Sequence, residues 1–199
     1  MKNRILLSLI TLFTVAFMTS CNKPPQVEMD AATLALSEAK AAGADLYLPD
    51  QYNAVQDSMN VAMQIIEAKK SKWFARYGES IKQLEAIKVK AAEVKANTEV
   101  RKEEIKKEVE ATLTEVNTLL TEDKDLLAKA PRGKEGKEVL DAITSELSVL
   151  ETTATEVSGL LASGDLLAAQ SKVNAAKEKA TQIKTELEEA IAKKKGGRK

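Results

Sequence analysis

The sequence predicts an all-α protein: elongated antiparallel helical hairpins in a coiled-coil-like bundle with one very long central helix. Three observations predict it. Aromatic residues make up only 4% of the 199 residues and charged residues 30%, which suits long helices and denies a sheet the aromatic and β-branched residues it favours. From about Asp30 onward the apolar residues recur at alternating steps of three and four. Finally, no Pro or Gly falls between Gly78 and Ala130, so a single helix can occupy that whole interval.

The chain starts with a segment of another kind. Lys2 and Arg4 give a short basic start, and the apolar stretch Ile5 to Met18 is broken only by Ser8, Thr11 and Thr14. That stretch is short for a permanent membrane span and has the form of the apolar core of an export signal. Met18-Thr19-Ser20-Cys21 then resembles the bacterial lipobox: a hydrophobic residue, two small ones and a cysteine. The resemblance implies that residues 1–20 are a signal peptide, that the cut falls before Cys21, and that the Cys21 sulfur carries diacylglycerol. Against this stand an ordinary secretory signal with an incidental cysteine, and an uncleaved anchor.

Residues 21–29 are expected to form the lipidated tether, in which Pro24 and Pro25 favour an extended spacer of roughly 15–25 Å. Residue 22 is Asn and not Asp. By analogy with the lipoprotein sorting rule of enteric bacteria, that implies an anchor in the outer membrane of the cell envelope.

In the stretch 30–130, Asp30 is placed to cap the Ala-rich run Ala31 to Ala42. Gly43 and Leu48-Pro49-Asp50 mark a break and a restart, with Pro49 tolerable in a first turn and Asp50 favourable to the helix dipole. Tyr52, Val55, Met59, Ala62 and Ile66 form the next seam. After a turn near Lys69 to Lys72, Phe74, Tyr77, Ile81, Leu84, Ile87, Ala91, Val94 and Thr98 keep the rhythm. Ile105, Val109 and Leu113, spaced four and four, resemble a stutter, and Val116, Leu120, Leu127 and Ala130 resume the seam. The resulting helix, about 55 residues or some 80 Å by helical rise, needs a partner beyond the first hairpin.

Pro131 with Gly133 and Gly136 makes residues 131–138 a hinge. Residues 139–192 form a second hairpin. Its stripes are Leu140, Ile143, Leu147, Leu150, Ala154, Val157 and Leu161, then Leu166, Ala169, Val173, Ala176, Ala180, Ile183 and Leu187, with Asp165 as cap after Ser163-Gly164. This hairpin is expected to cover the far half of the long helix as a thin three-helix bundle. Residues 193–199 read as a basic, flexible tail.

The run Ala41-Ala42-Gly43-Ala44-Asp45-Leu46-Tyr47-Leu48-Pro49-Asp50-Gln51-Tyr52-Asn53-Ala54 is similar to the start of an uncharacterised family of Ala-rich helical lipoproteins of bacterial envelopes. There, a Gly-acid-aromatic turn opens the third helix. Ser71-Lys72-Trp73-Phe74 stands in that place without the Gly-acid pair, and Ser163-Gly164-Asp165-Leu166 matches it better. The resemblance implies no biochemical role.

Composition also narrows function. The charges balance at 30 against 30, and loss of Lys2 and Arg4 with the signal makes the remainder slightly acidic, which argues against a nucleic-acid partner. There is no histidine, and the one cysteine is assigned to lipid, so zinc sites and His-based nucleophile systems lack their residues. No enzyme activity, cofactor or metal is expected.

Two features stand above this background. All five aromatics after the signal lie between Tyr47 and Tyr77, with Trp73, Phe74 and Tyr77 crowded at one turn, where they either cap a hairpin or form a docking patch for a protein or a lipid interface. The tail cations Lys193, Lys194, Lys195, Arg198 and Lys199 are either a solvated helix end or a contact for cell wall or anionic lipid. The final Arg-Lys pair resembles the end of the murein lipoprotein, which would imply wall attachment through Lys199. The expected function is a membrane-anchored structural spacer or interaction scaffold of the envelope, whose partners are the membrane through its lipid and, as candidates, envelope proteins or peptidoglycan. A carrier of lipid or another apolar ligand and a surface adhesin are the alternatives.

Overall fold

The computed structural model describes residues 23–131 and 136–196, with only the helical backbone at 194 and 195. Among the described residues there are helices and turns and no strand. The helices are α1 (Gln26–Ala41), α2 (Ala44–Tyr47), α3 (Pro49–Lys70), α4 (Gly78–Lys129), α5 (Gly136–Ser163) and α6 (Leu166–Gly196). The chain is an all-α bundle protein with one very long helix, as its periodicity predicts. It divides into two compact units at Arg101–Lys102, inside α4. The break at 131 instead separates two helices of the second unit, because a hairpin alone leaves one face of its seam bare and the far half of α4 completes it.

In the first unit, α1 buries Met29, Ala32, Leu36 and Ala39, and α3 buries Tyr52, Val55, Met59, Ala62 and Ile66. With Leu84, Ile87, Ala91 and Val94 of α4 they form one core. Steps of three and four keep each stripe on one face, and its alanines let helix axes approach closely. Lys95 of α4 donates to Glu38 of α1 at 2.9 Å, and Lys69 at the end of α3 donates to Ser80 at the start of α4 at 3.1 Å. Thus α1 and α4 run side by side in one direction, and α3 runs opposite to both.

Here the helix bounds differ from the sequence expectation. Helix α1 starts at Gln26, not after Asp30, so residues 26–29 belong to the bundle and not to the tether. Pro25 stands at the N-cap, where a missing N–H costs nothing, and Met29 is buried. Asp30 instead accepts a bond from the Gln26 side chain at 2.8 Å. Gly43 adopts φ 89°, a left-handed turn closed by its N–H on the Lys40 carbonyl at 2.7 Å. Pro49 opens α3. In α4 the seam position is Ser80 and not Ile81, since Ser80 is buried and bonded to Lys69 while Ile81 is half-buried. Buried Thr98 satisfies its hydroxyl on the Val94 carbonyl at 2.8 Å.

In the second unit, α5 and α6 bury the predicted stripes from Ile143 to Val157 and from Leu166 to Leu187. They face Ile105, Val109, Val116 and Leu120 of α4 in the three-helix arrangement that the hairpin's length predicts. The turn between α5 and α6 has Gly164 at φ 81°, and the Asp165 carboxylate accepts the Ala168 N–H at 3.3 Å as an N-cap. Along its flank, Glu108, Glu115 and Glu122 of α4 meet Gln170, Lys177 and Lys184 of α6. Both sets are spaced by heptads, so α4 and α6 run in the same direction in a single register. Lys124–Glu151 joins α4 to α5, and Lys172–Glu156 and Lys179–Glu146 join α6 to α5.

Candidate functional site

The turn from Ser71 to Tyr77 connects α3 to α4 and holds the sequence-predicted aromatic trio. Helix α3 ends with Lys72 N–H on the Lys69 carbonyl at 3.0 Å, and α4 begins with Ile81 N–H on the Tyr77 carbonyl at 2.9 Å. Between them the backbone leaves helical geometry, and the side chains part company. Tyr77 is 4% exposed and joins the core with Ala75, whereas Trp73 and Phe74 are 83% and 84% exposed. The trio is therefore two things: Tyr77 seals the end of the first bundle, and Trp73 and Phe74 project from it. Phe74 is accordingly not part of the α4 seam.

Trp73 and Phe74 contact each other edge to face, with ring centroids 6.5 Å apart and planes at 75°. This geometry suits the ring quadrupoles. The turn is cationic in sequence: no carboxylate occurs between Glu67 and Glu79, an interval that contains Lys69, Lys70, Lys72 and Arg76. Lys70 pairs with Glu67 at 2.6 Å, and Lys69 is held by Ser80. A groove of about 480 Å³ beside the turn is lined by Lys70, Lys72, Trp73 and Tyr77, and by Pro24 at the start of the described chain. The amino-terminal end of the body and the aromatic turn thus meet at one end of the first unit.

A second site was missed from the sequence. Asp123 of α4 is 0% exposed, and neither of its carboxylate oxygens has a hydrogen-bond partner. Its neighbours explain the placement. Glu122 reaches sideways to Lys184 of α6 at 2.6 Å, and Lys124 to Glu151 of α5, which leaves the residue between them directed inward. Burial pushes the Asp123 carboxyl up to about 6; Lys184 opposes the rise, and Glu122 and Glu188 add to it. The hydrogen bond and charge of Glu122 hold Lys184 above its ordinary range. The signal in the sequence was a gap: the rhythm Val116, Leu120, Leu127, Ala130 demands a member at 123.

The other predicted residues fall partly outside this description. Cys21, Arg198 and Lys199 lie outside the described residues, as do residues 132–135 of the 131–138 hinge; its last residues, from Gly136, are the first turn of α5. The tail expected at 193–199 is helical through Gly196, since α6 runs that far and Lys193 pairs with Glu189 at 3.9 Å. Lysines are good helix formers, and at this end they suit the negative end of the dipole. Among the described residues no helix is long and apolar enough to cross a membrane. No family model matches the chain, and neither a curated protein nor a solved structure matches it.

Proposed function

We propose that this protein is a lipid-anchored, non-enzymatic scaffold or spacer of the bacterial envelope, tethered through Cys21, with the outer membrane as its address. The observation that carries this reading is α4. Its 52 residues give their first part to the first bundle and the rest to the second, so one helix is shared by both units. The lipobox-like Met18–Cys21 lies directly before the first bundle, and only a few residues separate Cys21 from Gln26. Each bundle offers exposed helix faces to partners and leaves its seam closed.

The seams also favour a scaffold over a carrier. Ala32, Ala39, Ala62 and Ala91 of the first core bring helix axes close, which fills the interior with side chains. Fractionation of cells producing Cys21→Ser tests the anchor. The substituted protein should leave the membrane fraction and keep an uncut or aberrantly cut signal. Unchanged membrane association would remove the basis of the proposal. Crosslinking in cells followed by mass spectrometry should recover envelope proteins attached to exposed positions of α4 to α6.

A further inference from the structure

We propose that the Ser71–Tyr77 turn is a second membrane contact, which inserts Trp73 and Phe74 into the interfacial layer of the bilayer that holds the Cys21 lipid. The inference rests on the reading of Cys21 as lipidated and adds how the body is oriented on that membrane.

The argument begins with reach. Pro24 lines the same groove as Trp73 and Lys72. Cys21 is three residues before Pro24, at most about 10 Å of extended chain. A lipid on Cys21 therefore brings the bilayer surface to this end of the first unit. The chemistry presented there suits a bilayer surface. Trp and Phe are two large exposed rings, and Trp favours the headgroup level, where an apolar ring meets a wet edge. Lys72 lines the groove beside Trp73, and with Arg76 it is an exposed cation of a turn whose sequence holds no acidic residue, which complements anionic lipid headgroups. Tyr77 and Ala75, buried in the core, together with the Lys69–Ser80 bond, fix the base of the turn so that the two rings project from a rigid support. One lipid anchor leaves a body free to swivel; a second contact beside it fixes an orientation.

Trp73 is the one tryptophan in the chain, so its fluorescence reports this turn alone. The mature lipidated protein, purified from membranes, is reconstituted into phosphatidylcholine vesicles containing phosphatidylglycerol, with or without brominated acyl chains. Flotation with the vesicles tests the anchor. Trp73 emission should move to shorter wavelength than in detergent-free buffer and should be quenched by the brominated lipid. Lys72→Glu and Phe74→Ser, both at exposed positions, should weaken the quenching while helical circular dichroism and flotation stay unchanged. Flotation with the emission of a water-exposed indole and no quenching overturns the second contact, leaves the anchor standing and assigns the turn to a protein partner. Loss of flotation itself overturns the anchor, and this inference with it.

Discussion

Asp123 is the residue at which stability and pattern conflict. A carboxyl without hydrogen bonds in a three-helix seam is costly when ionised, and its carboxyl rises to about 6 for that reason. Near pH 4 the group is largely neutral in the folded chain and begins to ionise in the unfolded one. As the pH rises towards 6 the unfolded chain ionises first, so the folded state loses stability across roughly pH 4 to 6 and then levels off. The burden at neutral pH is on the order of 1–3 kcal/mol. Asp123→Leu should raise stability at pH 7 by about that amount, and Asp123→Asn should abolish this group's part of the slope. Urea denaturation of the three proteins at pH 4, 5, 6 and 7 measures both. Equal slopes for wild type and Asp123→Asn would show that the carboxyl is solvated. The residue was illegible because patterning treats any carboxylate as a surface residue; only the missing beat between Leu120 and Leu127 marked it. Ser80 escaped for the same reason, as a small polar group made acceptable in the seam by Lys69.

The helices divide their stability and their register between different residues. Val173 and Leu147 are almost fully buried in the second unit, so Val173→Asp or Leu147→Asp should each cost about 3 kcal/mol or more, read as a lowered midpoint in chemical denaturation. The charged ladder between α4 and α6 should behave otherwise. Its side chains are about half exposed, and such pairs contribute roughly 0–1 kcal/mol. Lys177→Glu should therefore destabilise by about 1 kcal/mol or less, and adding Glu115→Lys should restore most of it. A cost as large as that of Val173→Asp would mean that the ladder, not the seam, holds the hairpin to α4. These stripes were readable because apolar spacing of three and four has one geometric solution. Their ends were less so: Pro25 opens α1 as an N-cap, where the sequence favoured Asp30, and helix-forming lysines extend α6 to Gly196. The aromatic trio divides because residues 71–77 are not helical, so adjacent side chains no longer share a face.

For the protein as a whole, fold and chemistry meet at one end of the first unit. In the first unit the amino-terminal end of the body meets the Trp73–Phe74 turn, after which α4 begins. The fold follows from the heptads. The role proposed for it depends on Cys21, because a scaffold has meaning only with respect to what it is fixed to. The helical body constrains that attachment through the short stretch between Cys21 and Gln26. The most direct measurement is mass spectrometry of the amino-terminal peptide of the protein isolated from bacterial membranes. The account predicts a chain that starts at Cys21 and carries the added mass of diacylglycerol on its sulfur, with or without a further acyl group on the amine. A mature chain that starts elsewhere, or an unmodified Cys21 thiol in membrane-derived protein, would contradict it.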